Sequence, residues 1–141
     1  MIAGIGIDLV EIARIERIAT RWGDAFLGRV FTLREIDSCS GRARPATHFA
    51  GRFAVKEALL KSLGLGLGMG VRLREIETVN ERDGRPRLRL YANALRILEG
   101  RGIRRTHLTI THTKDHAVAV VVLEADSPGP RGAELDTDPH E

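Results

Sequence analysis

Two stretches of sequence decide how this chain folds: GIGID at Gly4–Asp8 and FAVKEA at Phe53–Ala58. The first ends an apolar strand with the carboxylate of Asp8, and the second places Glu57 on a helix that is rich in basic side chains. Those basic side chains are Arg52, Lys56 and Lys61. Divalent metal ions need oxygen ligands, and phosphate groups need Lys or Arg. Two acids with cations beside them therefore indicate a site for a metal ion and a polyphosphate.

Length and composition indicate one soluble domain. The 141 residues include one Trp, one Tyr and four Phe, so the core must be built from aliphatic side chains. The lone Cys39 excludes an intramolecular disulfide and suits a reducing compartment. The sequence shows no secretory signal pattern and no apolar run of membrane-spanning length. We therefore expect a cytoplasmic protein that does not associate with a membrane.

The charge is unevenly distributed along the chain. Residues 125–141 hold five acidic residues and one Arg, which leaves 21 basic against 14 acidic residues in residues 1–124. A basic body attracts polyanions such as nucleic acid or phosphorylated ligands. Binders of single-stranded nucleic acid usually interleave cations with stacking aromatic side chains, which are scarce here, so we do not expect nucleic acid as a partner. A non-catalytic basic module for nucleotides or nucleic acid remains the alternative function, and a Mg²⁺-dependent phosphohydrolase is a third.

Hydrophobic periodicity predicts a domain over residues 1–124 and a disordered acidic Pro/Gly tail over residues 125–141. The predicted strands are 2–9, 71–79, 87–91, 108–112 and 117–124, and the predicted helices begin near Glu11, Leu33, Pro45 and Ala92. Thr32 with Glu35 matches a capping box, and Gly64 ends the long helix that begins near Pro45. The glycine-rich residues 64–70 are predicted to form a mobile connection.

The last predicted strand, 117–124, is apolar on both faces. One face of an antiparallel sheet normally meets solvent, and a domain of this size has too few helices to cover both. We therefore predict that a second copy of the chain buries the other face.

The acidic candidates also have purely structural interpretations. Asp8 alone fits a helix N-cap or a turn carboxylate, because it precedes the helix that begins near Glu11. Glu57 and Lys61 lie one helical turn apart, which is typical of surface ion pairs. The functional interpretation instead places Glu57 opposite Asp8 across a cleft, with Lys61 beside them.

The same holds for the other candidates. His112 follows two apolar residues at a period of two, so it points to the apolar side of its strand, where a hydrogen-bonded core histidine is the more common finding. Gly84-Arg85-Pro86 also fits a simple turn. The stripe of Arg14, Arg17 and Arg21 fits either a solvated helix face or a docking surface for an acidic partner.

Three segments carry a resemblance to a known family: Gly4–Ile15, Phe49–Ala58 and Leu108–Ala117. Together with the glycines after Lys61, and with Gly84-Arg85-Pro86 before a strand, they resemble holo-acyl-carrier-protein synthase, the small bacterial-type class of phosphopantetheinyl transferases. The resemblance covers roughly the whole predicted domain, in order, and omits only the tail.

The resemblance implies an α+β fold, mainly an antiparallel sheet packed on a long helix, and a homotrimer with active sites between subunits. It implies transfer of 4′-phosphopantetheine from coenzyme A to a serine of apo acyl carrier protein, with adenosine 3′,5′-bisphosphate as the other product. It further implies Mg²⁺ held by Asp8 and Glu57 together with the diphosphate of the coenzyme.

The resemblance also implies individual roles. Asp8, Glu57 and Lys61 are the catalytic residues, and Lys61 contacts the diphosphate. Arg52 and His112 hold the 3′-phosphate or the adenosine end of the coenzyme. The residues assigned to the coenzyme site are Arg52, Lys61, Gly64, Gly84, Pro86 and His112. The residues assigned to the carrier surface are Arg14, Arg17 and Arg21. The base that removes the serine proton is left open among a metal-bound water, Glu57 and Glu35.

Overall fold

The structure is a computed structural model and describes residues 1–66 and 69–126. The strands are β1 (Ile2–Glu11), β2 (Ile76–Asn80), β3 (Pro86–Leu90), β4 (Ile103–His112) and β5 (His116–Ala125). The helices are α1 (Ile12–Trp22), α2 (Asp24–Val30), α3 (Leu33–Ser40), α4 (Pro45–Ser62) and α5 (Ala92–Gly100), with a 3₁₀ turn at Leu73–Glu75. The predicted tail begins one residue too early, because Ala125 is the buried last residue of β5. The rest of the predicted tail lies outside the described residues from residue 127 onward, as do residues 67 and 68 of the predicted mobile connection.

The main sheet has three antiparallel strands in the order β1-β5-β4, with α4 packed across its inner face. Alternate residues of the central strand β5 point toward α4 and are completely buried, namely Ala117, Ala119, Val121 and Leu123. The prediction of an α+β domain built on a long helix is confirmed.

Two glycines of β1 allow α4 to lie unusually close to the sheet. A Cβ atom built on Gly6 would overlap the carbonyl oxygen of Ala58, and one built on Gly4 would overlap that of Ser62. Both glycines face inward and Asp8 follows at the same spacing of two, because side chains alternate along a strand. The GIGI pattern thus sets the depth of α4 under the sheet, which brings the C-terminal half of α4 against Asp8.

β2 and β3 form a second, two-stranded sheet, which is not hydrogen-bonded to the first although β3 contacts β4. The predicted strand at 71–79 is shorter than expected, because Glu75 accepts a hydrogen bond from the Arg72 amide (2.7 Å) and closes a 3₁₀ turn before β2. The sequence prediction also missed α2, a helix of 7 residues. The capping box is confirmed: Thr32 accepts from the Glu35 amide (3.2 Å) and Glu35 accepts from the Thr32 amide (3.1 Å).

The outer face of the main sheet is an exposed apolar surface. Ile5, Ile7 and Leu9 of β1 are 58–62% exposed. They pair across the sheet with Val122, Val120 and Val118 of β5, which are partly exposed. We define these six residues as the outer apolar face. Among the described helices, none combines the length and the apolar character needed to cross a bilayer.

Candidate active site

Asp8 and Lys61 form an ion pair where β1 meets the end of α4. Lys61 Nζ donates to Asp8 Oδ1 at 2.9 Å and to the carbonyl oxygen of Ile7 at 3.2 Å. The Asp8 side chain is only 14% exposed, while that of Lys61 is 56% exposed. Asp8 does not cap a helix, since α1 begins after Glu11 and has no side-chain cap. The N-cap interpretation of Asp8 is therefore wrong.

Glu57 belongs to the same cluster. Partial burial raises the pKa of the Glu57 carboxyl, and the negative charge of Asp8 raises it further, while Lys61 and Arg14 act in the opposite direction. The pKa of Lys61 is raised as well, chiefly by its hydrogen bond to Asp8 and by the charge of Asp8, and to a smaller extent by the charge of Glu57. The structure thus brings together Asp8, Glu57 and Lys61, with Arg14 of α1 beside them. We call these four residues the acid-pair cluster.

The acid-pair cluster has the donor set that Mg²⁺ prefers. Two carboxylates share one region: burial is the main cause of the raised pKa of Glu57, and the nearby charge of Asp8 adds to it. Within the described residues, no group of three or more His, Cys, Asp or Glu could hold a metal. An ion bound here would take its other ligands from water or substrate, as Mg²⁺ commonly does. The residues present therefore fit a magnesium ion.

A second group of basic side chains lines an open cavity of about 600 Å³ between the start of α4 and the turn between β4 and β5. Its polar lining residues are Arg42, Arg44, Thr47, His48, His112, Thr113 and Lys114. Burial lowers the pKa of His48, and neighbouring basic groups lower it further; these are Arg42, Arg52 and His112. We call Arg42, Arg44, His48, Arg52, His112 and Lys114 the basic cluster. Such a concentration of cations favours a multiply charged anion.

Arg52 strengthens this interpretation, because it is buried without an acidic partner. Its residue is 5% exposed, and its only hydrogen bond among the described residues is a long one from Nη2 to Ser38 Oγ (3.4 Å). Its Nε atom is buried and has no hydrogen-bond partner among them. A buried guanidinium is normally paired, so Arg52 has unused capacity for an anion.

The two clusters lie on opposite flanks of α4. At 3.6 residues per turn, positions nine residues apart project in opposite directions from the helix axis. His48 and Glu57 are nine residues apart, and so are Arg52 and Lys61. The flank of Glu57 faces β1, and Gly51 near the other cluster packs on Ile110 of β4. Within one chain, the body of α4 therefore separates the acid-pair cluster from the basic cluster.

Comparison with known proteins identifies the family. The family model described as the 4′-phosphopantetheinyl transferase superfamily matches residues 4–121. This chain belongs to that superfamily. A holo-[acyl-carrier-protein] synthase of Syntrophus aciditrophicus is 52% identical over 124 residues, which are 88% of this chain and 97% of the relative.

Solved structures agree with this assignment. The crystal structure of the Neisseria meningitidis holo-[acyl-carrier-protein] synthase has a TM-score of 0.79 at 38% identity, covering 88% of this chain and 99% of the other. The enzyme of that name from Bacillus anthracis, in complex with CoA (3′,5′-ADP), has a TM-score of 0.73 at 38% identity, covering 89% and 99%.

Lys56 of the superfamily motif does not belong to the site, contrary to the sequence interpretation. Its side chain is completely buried, and its ammonium group binds Glu35 (2.7 Å) and the carbonyl oxygens of Leu73 (3.0 Å) and Ile76. On α4, Lys56 projects about 100° away from Glu57, toward α3 and β2. The sequence places these two residues side by side, but the helix separates them.

Glu35 is also excluded as the base for the carrier serine. It is 1% exposed, and its carboxylate is fully engaged by Lys56, the Thr32 amide and the Thr78 amide. No substrate hydroxyl can reach it without dismantling this network. Of the two protein side chains considered for this role, Glu57 remains.

The remaining predicted residues are placed as follows. Gly64 follows Leu63, the C-cap of α4, with φ +70°, and Gly84 lies in the β2–β3 turn with φ +87°. Pro86 begins β3, where it pairs with Asn80. No hydrogen bond or ion pair of the described residues joins Gly84 or Pro86 to the acid-pair cluster, so their assignment to the coenzyme site stays a prediction.

The arginine stripe on α1 divides in the structure. Arg14 lies close enough to Glu57 to lower its pKa. Arg17 pairs with Glu11 at 3.6 Å, and Arg21 lies 5.1 Å from the ring of Trp22, which is 58% exposed. One end of the stripe therefore borders the acid-pair cluster, while the other ends at an exposed aromatic side chain.

Sequence analysis missed most of the basic cluster. Arg42, Arg44, His48 and Lys114 were not among the candidates, although Arg52 and His112 were. One signal was available: His48 and Arg52 are four residues apart on a predicted helix and so share a face. The contribution of the β4–β5 turn could not be read from spacing, because the turn is far from α4 in sequence.

Proposed function

We propose that this chain transfers 4′-phosphopantetheine from coenzyme A to a serine of apo acyl carrier protein and releases adenosine 3′,5′-bisphosphate. Membership of the superfamily and the shared name of its relatives support this function. The observation on this chain that carries it is the meeting of Asp8, Glu57 and Lys61. Because this chemistry acts on coenzyme A, and because Cys39 is a free thiol, we place the reaction in the cytoplasm.

Asp8 and Glu57 would hold Mg²⁺ in this proposal. The ion, when bound, supplies positive charge that offsets the charge developing on the diphosphate during transfer. Lys61 turns from Asp8 toward the diphosphate, which its exposed ammonium can do without disturbing the core. Glu57, whose pKa is raised by burial and by the charge of Asp8, would accept the proton of the carrier serine.

The basic cluster binds the 3′-phosphate end of the coenzyme. Arg52 contributes its unpaired buried guanidinium, and His48 and His112 contribute ring nitrogens. Gly64 supports the proposed approach of backbone to the nucleotide, since it has no side chain and open space around it. Gly84 and Pro86 complete the coenzyme site from the β2–β3 turn.

We further propose that each site is shared between two copies of the chain in a homotrimer. The diphosphate and the 3′-phosphate belong to one coenzyme molecule, yet α4 separates their clusters within one chain. The outer apolar face supplies the surface on which a second copy packs, because six apolar side chains in register are otherwise exposed to water. A neighbouring copy can then present its basic cluster to the acid-pair cluster of the first.

The arginine stripe receives the carrier. Arg14 borders the acid-pair cluster, so an acidic helix lying along Arg14, Arg17 and Arg21 would present its serine at the site. The exposed Trp22 ring beside Arg21 adds apolar contact at the far end.

Transfer is tested by mass spectrometry of an apo carrier incubated with the chain, coenzyme A and Mg²⁺. The expected result is the mass increase of one phosphopantetheine group, abolished by Asp8→Asn or Glu57→Gln and retained by Glu99→Gln, an exposed acid on α5. An unmodified carrier under all of these conditions would refute the function. Release of phosphate from coenzyme A without a carrier would instead indicate a phosphohydrolase.

The shared site is tested by mixing two inactive variants. Asp8→Asn damages one cluster, and the double variant His48→Ala/His112→Ala damages the other. Random reassembly into rings would restore about a quarter of the sites if each combines clusters from neighbouring chains. No recovery after verified subunit exchange would contradict the shared site, and a monomeric mass in light scattering would contradict the trimer.

Docking of the carrier is tested with Arg21→Glu. The KM for the carrier should rise while the KM for coenzyme A stays unchanged, because Arg21 lies away from both clusters. Arg96→Glu on α5 is the matched control, and an equal effect of both reversals would reject the docking surface.

A further inference from the structure

The proposed reaction leaves one buried ion pair without a role. Lys56 and Glu35 are both completely buried, with Lys56 Nζ 2.7 Å from Glu35 Oε1. Removing two charges from water is costly, and a well-packed apolar pair often stabilises a fold equally well. Unlike apolar side chains, a buried ion pair makes directional hydrogen bonds to its surroundings.

Every hydrogen-bonding position of the Lys56 ammonium is used. Its three protons go to Glu35 and to the carbonyl oxygens of Leu73 and Ile76, and its nitrogen lies 5.4 Å from the centre of the Phe31 ring. Two of these acceptors are backbone groups, one on the first residue of the 3₁₀ turn and one on the residue that follows the turn. Three hydrogen bonds in different directions therefore fix the position of the ammonium group.

Glu35 ties the same group to further backbone. Its Oε1 also accepts from the Thr32 amide at 3.1 Å, at the first turn of α3, and its Oε2 accepts from the Thr78 amide of β2 at 3.2 Å. One ion pair thus fastens α4 to α3, to the 3₁₀ turn and to β2. Apolar side chains could fill this volume, but they could not fix the rotation of α4 by directional bonds.

That rotation decides where Glu57 points. Lys56 and Glu57 are consecutive on α4, so holding the ammonium of one fixes the direction of the other to within the flexibility of a single helical turn. The glycines of β1 set how close α4 comes to the sheet, but they do not restrain its rotation, because they offer no side chain. A misplacement of about 1 Å at a reacting group can cost roughly 100-fold in rate.

We propose that Lys56 and Glu35 form a positioning pair that fixes the rotation of α4, so that Glu57 meets Asp8 at the metal site. This inference rests on the proposed function. Neither residue touches substrate. Both act through Glu57, in the way that the outer neighbours of metal ligands orient those ligands.

The test replaces the pair with apolar side chains. The double variant Glu35→Met/Lys56→Met removes both charges together, so neither member of the pair is left buried without its partner. Binding of Mn²⁺, used as a spectroscopic substitute for Mg²⁺, is measured by electron paramagnetic resonance in the absence of substrates. We expect the dissociation constant for Mn²⁺ to rise by about 10-fold and kcat to fall by about 10- to 100-fold, with the KM for the carrier unchanged.

Val55→Ala is the matched control. Val55 is also completely buried and adjacent to Lys56, but it makes no polar contact. It should lower the midpoint of thermal unfolding while leaving Mn²⁺ affinity and kcat within about two-fold of the parent. If Val55→Ala impairs Mn²⁺ binding as much as the double variant does, the pair acts only through stability and the inference is overturned.

Two further arms complete the design. Glu35→Gln keeps the overall volume but leaves one acceptor oxygen where the carboxylate has two, so it cannot keep the bonds to Lys56, Thr32 and Thr78 together. It therefore tests the inference even if the double variant does not fold, and Mn²⁺ affinity equal to that of the parent in a folded variant of either kind would overturn it. Asp8→Ala should abolish Mn²⁺ binding. If the parent chain neither binds Mn²⁺ nor transfers phosphopantetheine, the proposed function fails, whereas an active parent with unaffected pair variants refutes the positioning role alone.

Discussion

Replacing Gly6 with Ala tests the close approach of β1 and α4 on which the site depends. The added Cβ would overlap the Ala58 carbonyl oxygen and lie 2.8 Å from the Ser62 amide nitrogen, and both neighbours are backbone atoms that cannot rotate away. Restoring an ordinary contact of 3.4 Å to the Ser62 nitrogen alone moves α4 outward by about 0.6 Å, and clearing the oxygen moves it further.

The cost of this displacement can be bounded. Overpacking a core typically costs 1–3 kcal/mol, and with no flexible neighbour to yield we expect the upper end, about 3 kcal/mol. For a domain of this size that lowers the midpoint of thermal unfolding by roughly 10 °C. Lys61 moves with α4, so its 2.9 Å bond to Asp8 is lost or lengthened, and transfer should fall by about 100-fold.

The assay combines thermal unfolding with the carrier mass assay. Gly28→Ala on α2 is the control, because a Cβ there meets nothing within 4 Å and helix propensity favours Ala by about 1 kcal/mol. Gly6→Ala should be strongly destabilised and Gly28→Ala unchanged or slightly stabilised. A midpoint for Gly6→Ala within about 2 °C of the parent would refute the packing argument, since it would mean a cost below about 1 kcal/mol.

Three other perturbations have defined outcomes. The pKa of Glu57 is raised above its ordinary value of 4.5, so the contribution of Glu57 to folding stability is fully present below that value and is lost as pH rises through the folded-state pKa. Without metal, Glu57→Gln should therefore raise the midpoint of thermal unfolding at neutral pH. A gain that persists undiminished in acid would contradict this. Burial raises the pKa of Cys39 to about 11, so a maleimide at mildly alkaline pH should label it only in denaturant, and rapid labelling of the folded chain would show that the thiol is accessible. Gly64 has φ +70° in open space, so Gly64→Ala should cost about 1–2 kcal/mol in denaturant unfolding from backbone strain alone, and an unchanged free energy of unfolding would show that this backbone relaxes.

Elements with a strong local signal could be predicted from the sequence. The capping box at Thr32 and Glu35, the Pro45 start of α4 and its end before Gly64 all follow from residues within one or two turns of each other. The 3₁₀ turn before β2 could not be predicted, because Glu75 closes it with its side chain on the Arg72 amide while the apolar alternation of a strand continues. Local sequence patterns thus predicted which helices and strands form, whereas the start of β2 depends on a side-chain hydrogen bond that those patterns do not show.

Of the candidate site, the sequence predicted the two acidic residues but not the environment of Lys56. Asp8 and Glu57 were paired from the resemblance, and in the structure Asp8 lies close enough to Glu57 for its charge to raise the pKa of Glu57. Lys56 was misassigned because the spacing of residues along a helix gives only the angle between their side chains. It does not say which side of the helix faces the site. The buried partner of Lys56 is Glu35, 21 residues earlier, and the carbonyl acceptors of Leu73 and Ile76 lie 17 and 20 residues later. Such contacts depend on how segments pack, which no single stretch of sequence specifies.

The placement of the two clusters also explains the composition of α4. A helix that carried acids and cations around its whole circumference could not be buried, yet α4 is the centre of this domain. The small residues of α4 pack against the sheet. Its polar side chains project from two opposite flanks, and Lys56 is buried in an ion pair with Glu35. This arrangement keeps the carboxylates of the acid-pair cluster away from the cations of the basic cluster, which would otherwise neutralise them within a single chain. In the proposed assembly, a coenzyme bound between two copies would supply phosphates to both clusters, and no internal ion pair would have to be broken on the basic flank.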